Sequence, residues 1–371
     1  MHLICPHSTC PNHRPPEAVQ WFDYHGSYQS CGQVHQRYRC RSCGRTFSAR
    51  TLSIDYWTHR LLDYRLLIEL FAGGFSCRGL SRQFATTVKT IQNRFARLAR
   101  AVIATLSAVQ QSVELSEPLV ADGLENFFVS QDFPADIHIL VGKDSQYTYG
   151  LNYALMRRKG RKTEEQKRRC RRLYQLVDFT RHTITAGFTE LIAQMKRVAG
   201  NREPLLLYTD EKSQYRWALA ADEQLCAKAA AGSFTHVRIS SRAARTLHND
   251  LFSVNYIDRE VRKDLPEFHR QTVCFARNVG NGLERLCVYL YHHNFIKRYR
   301  IGVSGEERNH AQVAGLDGQM MRRIEEEVTS RRYFIADEAV EEGGFFDELW
   351  RRQIPTPLKA TPDYLPKFAV A

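Results

Sequence analysis

The sequence predicts a multidomain α/β protein, and three observations carry that expectation. Five of the ten cysteines fall within the first 43 of 371 residues. A stretch at helical spacing between residues 61 and 103 is punctuated by Gly73-Gly74 and by capping hydroxyls. Two apolar strands, residues 119–129 and 205–209, place an aspartate within or just after them, at Asp122 and Asp210.

Composition bounds the rest. Hydrophobic residues make up 43% and charged residues 25%, ordinary for a globular chain of about two or three domains. No segment approaches a membrane-spanning apolar run, and mean hydropathy is −0.44. The opening Met-His-Leu-Ile-Cys-Pro lacks the character of a secretory signal. The expected location is therefore a reducing cytoplasm, in association with the nucleoid. Lys and Arg number 53 against 40 Asp and Glu, a formal net charge of +13, which favours a polyanionic partner. The basic residues cluster: Arg157-Arg158-Lys159-Gly160-Arg161-Lys162 and the run from Lys167 to Arg172 are separated by Glu164 and Glu165.

Residues 1–50 read as a zinc ribbon. Cys40-Arg41-Ser42-Cys43 is a CxxC knuckle, followed by Gly44 for the tight turn. Cys5 and Cys10 form the partner knuckle with a longer spacing. Two thiolate pairs close a tetrahedral structural Zn²⁺ site, with hairpin strands at 18–28 and 34–40 between them. His7, Cys31 and His35 are alternative ligands. A segment this short and polar has little core without an ion.

Residues 51–110 read as a helix-turn-helix module. Ser76 caps a short helix, and Thr86-Thr87 opens another that turns Val88, Ile91, Phe95 and Leu98 inward. Its other faces would show Lys89, Thr90, Gln92, Asn93, Arg94 and Arg97, the kinds of side chain that reach base edges and phosphates. Residues 97–103 would continue as a linker helix.

Residues 115–300 carry the carboxylates. Strands at 119–129, 137–141 and 147–155 form a meander, the last with strict period-two alternation. A helix over 189–199, a strand over 205–209, a helix over 214–226, a strand over 235–240 and a helix near Tyr256 follow. That order is the order of a ribonuclease-H-like mixed sheet with flanking helices. In such a sheet the first and fourth strands are neighbours, so Asp122 and Asp210 would meet at one end and share Mg²⁺ or Mn²⁺. A third carboxylate would come from the last helix. Glu260 is the first choice, Asp258 the second, and Asp264 reads as an ion-pair former. Arg262 and Lys263 would hold backbone phosphate, as would Arg157, Arg158, Lys159, Arg161 and Lys162.

The chain resembles transposases of the insertion-sequence-one family, which use a DDE catalytic core. The resemblance spans residues 1–300. It rests on His35-Gln36-Arg37-Tyr38-Arg39-Cys40-Arg41-Ser42-Cys43, Gly74-Phe75-Ser76-Cys77-Arg78, Thr209-Asp210-Glu211-Lys212-Ser213-Gln214-Tyr215 and the run from Arg270 to Val279. It implies an amino-terminal zinc ribbon and helix-turn-helix that bind terminal inverted repeats of double-stranded DNA. It also implies a metal-dependent core that cuts and joins strands, with Asp122 and Asp210 as its two aspartates, acting as a homodimer or larger assembly. The third position departs: the family spacing counted back from Arg262 falls on Asn255. The alternatives are a non-catalytic DNA-binding regulator with a degenerate core and a nuclease that never joins strands. Residues 301–371 read as a helical extension (315–328), an acidic loop (337–342) and a proline-rich extended tail, with His292-His293 as helix-end residues.

Overall fold

The computed structural model describes residues 3–14, 20–269, 272, 274–336 and 339–370. The chain is mixed α/β, with a three-stranded sheet, a five-stranded sheet and twelve α-helices among those residues. The first expected ribbon strand starts at Ala18, outside the described residues. So do Arg270, Gln271 and Val273 of the quoted run and Asp337 of the acidic loop.

The amino-terminal module is an antiparallel sheet of β1 (Phe22–Ser30), β2 (Gln33–Cys40) and β3 (Thr46–Ser48). Its core is small. Trp21 stacks on Phe47 with ring centres 5.4 Å apart, and among the described residues Cys5, Cys10 and Cys40 complete its buried apolar cluster.

Three helices follow, each opened by the side chain its sequence supplies. Asp63 accepts from Leu66 N–H at the start of α1 (Tyr64–Ala72), and Ser76 accepts from Gly79 N–H before α2 (Cys77–Gln83). Thr87 accepts from Thr90 N–H before α3 (Val88–Ser112). Gly74, at φ +91°, turns the chain between α1 and α2 in a conformation that favours glycine.

The larger sheet contains β4 (Leu119–Phe127), β5 (Pro134–Gly142) and β6 (Thr148–Leu155). It continues, after α4 (Glu164–Tyr174) and α5 (Ile184–Ala199), with β7 (Leu205–Thr209). Next come α6 (Ser213–Ala220), α7 (Glu223–Ala230), β8 (Phe234–Arg238) and α8 (Phe252–Asp264). The expected helix over 214–226 is two helices, because Asp222 caps a new start by accepting from Leu225 N–H. The strand order is β6-β5-β4-β7-β8. β4, β5 and β6 are antiparallel, while β4 pairs parallel with β7, and β7 parallel with β8. The first and fourth strands of this sheet are thus neighbours, as the element order predicts. α5 packs on β5 and β6 with α6 beside it, and α8 packs against β4 and β5. His138 of β5 meets Phe188 of α5 and Tyr215 of α6, which sets those two helices on the face opposite Asp122.

The remainder is α9 (Val279–Tyr291), a π-helical turn at His292–Ile296, α10 (His310–Val313), α11 (Gly318–Ser330) and α12 (Phe345–Trp350). Three expectations change here. The helix expected to link two halves is a central axis: Leu98, Ala99, Ala101, Val102, Ile103 and Ala104 are buried on all sides against α5, α9, α11 and α12. α12 was not anticipated, and it buries Phe345, Phe346, Leu349 and Trp350. The proline-rich end is extended but not free. Arg332 donates to the Phe368 and Val370 carbonyls at 2.5 and 2.9 Å, and Ile354 and Ala369 are buried.

β6 lies at the sheet edge, and both its faces are buried. Buried amides satisfy part of its backbone: Gln110 Nε2 donates to the Tyr149 carbonyl at 2.7 Å, and two others each bond both groups of one residue. Gln194 Nε2 donates to the Leu151 carbonyl at 2.9 Å while its Oε1 accepts from Leu151 N–H at 3.0 Å. Asn294 does the same for Thr148, at 3.0 and 2.9 Å. Removing one of these amides leaves a buried backbone pair without partners. Gln194→Ala should therefore lower stability by about 2–3 kcal/mol, measured as a fall in the midpoint of urea unfolding.

Candidate functional site

The first site is built by four cysteines. The sulfurs of Cys5, Cys10, Cys40 and Cys43 all lie within 4.8 Å of one another. Cys5 Sγ is 3.5 Å from Cys43 Sγ, and Cys10 Sγ is 3.7 Å from Cys40 Sγ. Tetrahedral Zn–S bonds of about 2.3 Å require sulfurs about 3.8 Å apart. The loops hold this geometry: Cys5 N–H donates to Asn12 O, Cys10 N–H to His7 O and Gly44 N–H to Cys40 O. Burial pushes the Cys5 and Cys10 thiols up. At Cys40 burial pushes the same way, but donation from Asn12 Nδ2 and the backbone N–H groups of Cys43 and Ser42 wins and holds it at about 6. The set suits a structural zinc. Of the alternative ligands, His35 faces Ser30 O and Arg50, and Cys31 faces Arg50 and Thr58 O.

The second site is the end of the five-stranded sheet. Ala121 of β4 pairs with Thr209 of β7, the last pair of their parallel ladder. Asp122 and Asp210 are the next residues along each strand, at one level on neighbouring chains about 4.8 Å apart. Asp122 lies opposite Ile139, and Asp136 opposite Glu125. By strand alternation Asp122 points to the α8 face and Asp136 to the α5 face. Asp258 enters from α8, close enough to Asp122 for the Asp122 charge to oppose its ionisation.

Burial pushes the Asp258 carboxyl up to about 8, with Asp122 adding to the rise and Arg262 opposing it. Its Oδ1 is sealed from solvent and has no hydrogen-bond partner. Burial likewise raises Asp122 to about 6, against the pull of Lys212, with Asp210 adding to the rise. Asp210 is raised by burial too, although Lys212 N–H donates to its Oδ1 at 3.0 Å. This all-oxygen donor set, with one orphaned buried acceptor, fits a hard divalent cation. The oxygens are not gathered into a closed cage. Among the described residues the four cysteines are the only group of three or more metal-binding side chains with ligand atoms within 4.8 Å.

Lys212, Asp136, His138 and Gly123 were missed by the sequence reading. Lys212 Nζ donates to fully buried Asp136 at 3.0 Å. Burial pulls the ammonium down, but Asp136, Asp122 and Asp210 outweigh it and the net shift is upward. Asp136 reaches across β4 because residue 123 is glycine: a Cβ there would fall 1.9 Å from Asp136 Oδ1. Burial holds His138 neutral, at about 4, against the opposing pull of Asp136. The available signal was two ionisable residues, Asp136 and His138, alternating inside an otherwise apolar strand.

Glu260, the first choice for the third acid, stands apart from this group. It pairs with Lys297 at 2.7 Å and lies near Lys263 and Arg259, and these cations lower it despite burial. Asp258, two residues earlier, is the α8 acid that faces Asp122. Asp264 accepts from Tyr289 OH at 2.7 Å. Arg262 is committed to the Phe268 and Glu125 carbonyls at 3.2 and 2.9 Å, so it is not presented for phosphate, while Lys263 is exposed.

On α3 the expected outward face divides. Lys89, Gln92 and Asn93 are exposed, and Thr90 is half-buried beside its cap. Arg94 is buried, donating to Arg60 O at 2.6 Å and lying 3.3 Å from Asp55. Arg97 donates to the Ile54 and Tyr56 carbonyls at 2.5 and 2.7 Å. Both are corrected from base-contacting to structural, because residues 54–60 fold over that side of α3. In the basic stretch, Arg158 and Arg169 hold buried Asp132 at 3.3 and 2.7 Å, Lys162 donates to Arg158 O, and Arg157 lies over Phe179. Lys159, Arg161, Arg168, Arg171 and Arg172 remain exposed.

No family model matches the chain, and no curated protein matches it either. No helix among the described residues is long and apolar enough to cross a membrane.

Two measurements test this electrostatic arrangement. Asp258 and Asp122 have folded-state values above the usual aspartate range, so the folded chain holds extra protons between about pH 4 and the raised values of about 8 and 6. Without added divalent metal, stability should fall as pH rises through that window, and Asp258→Asn should flatten the decline between pH 6 and 8 in thermal melts. Lys212→Gln removes the cation from buried Asp136 and should cost about 3–5 kcal/mol, read by denaturant titration.

Proposed function

We propose that this chain is a metal-dependent DNA-cutting and strand-joining enzyme, a DDE-type transposase with a ribonuclease-H-like core. The observation that carries the reading is the parallel β4–β7 pairing, which brings Asp122 and Asp210 to one end of neighbouring strands, with Asp258 of α8 acting on Asp122. On this reading Asp258, not Glu260, is the third carboxylate. Magnesium or manganese held there supplies Lewis-acid activation of water and stabilisation of the leaving oxygen.

The remaining residues do the binding. The four-cysteine module, carrying Zn²⁺, and the exposed Lys89, Gln92 and Asn93 of α3 read double-stranded DNA at the element ends. Exposed Lys159, Arg161, Arg168, Arg171 and Arg172 grip backbone phosphate beside the core. Lys212 keeps the rim charge-balanced and holds Asp210 through its backbone N–H. In the first step water attacks a phosphodiester, and the 3′ oxygen leaves with the proton as a free hydroxyl. In the second that hydroxyl attacks a target phosphodiester, displacing another 3′ oxygen. Joining two ends together calls for two copies of the chain.

Cleavage and joining of duplexes taken from the DNA flanking the coding sequence, with Mg²⁺, tests the reading. Asp210→Ala and Asp258→Asn should each lower cleavage by about 10²–10³-fold or more, and Glu260→Gln by far less. No cleavage by the native chain, under conditions where it binds the same duplex, would leave a DNA-binding regulator. If about 6–10 phosphates are contacted, affinity should fall roughly 10³–10⁵-fold between 50 and 200 mM salt, measured by anisotropy.

A further inference from the structure

A groove of about 410 Å³ lies where the amino-terminal sheet meets the segment leading into α1. Its lining is aromatic, hydroxylic and cationic. Arg37, Arg50 and His59 face it together with Ser48, Thr51 and Trp57, and among the described residues no acidic side chain lines it. Trp57 is 71% exposed and takes φ +54°, a left-handed conformation that costs a bulky side chain energy. Its ring stacks on Tyr56 with centres 5.0 Å apart and planes 13° from parallel. Tyr56 in turn carries the Arg332 guanidinium 4.2 Å from its ring centre.

The floor is built rather than incidental. Buried Arg50 donates to Ser30 Oγ at 2.6 Å and to the Thr58 carbonyl, fixing the β1 end against the 56–59 turn. Arg37 is exposed and touches Thr46 Oγ1 at 3.3 Å. The groove also adjoins α3. Arg60 donates to Ala85 O at 2.7 Å, in the turn before α3, and Arg94 of α3 donates to Arg60 O. These bonds fix the groove wall at His59 and the adjoining Arg60 against the turn that opens α3.

The geometry points to a pocket for one unpaired nucleotide of a DNA strand, its base stacked on Trp57, its phosphate held by Arg37 and its edge met by the groove hydroxyls. A flat π-face, a guanidinium and no carboxylate is the chemistry that binds single-stranded nucleic acid without strict sequence preference. A groove of this size accommodates one base beside the rings, and no acid repels its phosphate. The inference deepens the DNA reading above by naming single-stranded character at the bound end.

The test uses the full-length, zinc-loaded chain and two DNAs of one sequence, a blunt duplex and the same duplex with a short unpaired thymine tail carrying 2-aminopurine. The native chain should prefer the tailed DNA and quench the 2-aminopurine. Trp57→Ala should lose the quench and weaken tailed binding about 5- to 150-fold while blunt binding holds. Trp57→Phe should restore part of both, and Arg37→Gln should weaken tailed binding more than blunt. Equal binding of tailed and blunt DNA by the native chain, or an unchanged quench in Trp57→Ala, would overturn the pocket. The two readings fail separately: an intact quench with no cleavage would sink the enzyme and keep the pocket, and cleavage with no quench would do the reverse.

Discussion

A carboxylate taken out of water must find a cation, a proton or a donor, and the rim of the larger sheet uses all three. Lys212 supplies the cation to Asp136, a retained proton relieves Asp258, and backbone N–H groups serve Asp122 and Asp210. The sheet separates the charges. Asp136 and Lys212 sit on the α5 face, and Asp122 and Asp258 on the α8 face. Like charges remain close there because the strand pairing and the packed helix leave them nowhere else to go. That frustration is tolerable in a core this large, where burial along α3 and the five strands outweighs it, and it marks the rim as a place kept for something other than stability.

Much of the architecture was legible because local chemistry and long-range packing agree. Thr87, Ser76 and Asp63 announce their helices, β7 begins and ends where the apolar run does, and strand order followed from element order. What escaped depends on contacts between distant segments. Nothing in residues 98–107 of α3 distinguishes a bridging helix from a buried one until α9, α11 and α12 are placed around it. The prolines near the end correctly forbid regular structure, yet they do not disclose that Arg332 pins the final turn by its carbonyls.

The same division runs through the candidate site. The two strand-borne aspartates could be chosen because a strand fixes where its side chain goes. On α8 the acids at 258, 260 and 264 flank one apolar stripe, and only distant partners separate them: Asp122 for Asp258, Lys297 for Glu260 and Tyr289 for Asp264. Arg94 and Arg97 were misjudged for an equivalent reason: a helical wheel shows which residues point away from one neighbour, and a second neighbour at 54–60 covers that side as well. The four cysteines needed no such help, since their spacing in two short knuckles is itself the signal, and their sulfurs lie within 4.8 Å of one another.

The amides of Gln194 and Asn294 have a further consequence. By occupying the outer hydrogen-bonding groups of Leu151 and Thr148, they deny those positions of the margin to an incoming extended segment. β8 at the opposite margin has a strand partner on one side only. Pairing on the β6 side, at Leu151 or Thr148, would require Gln194 or Asn294 to let go first.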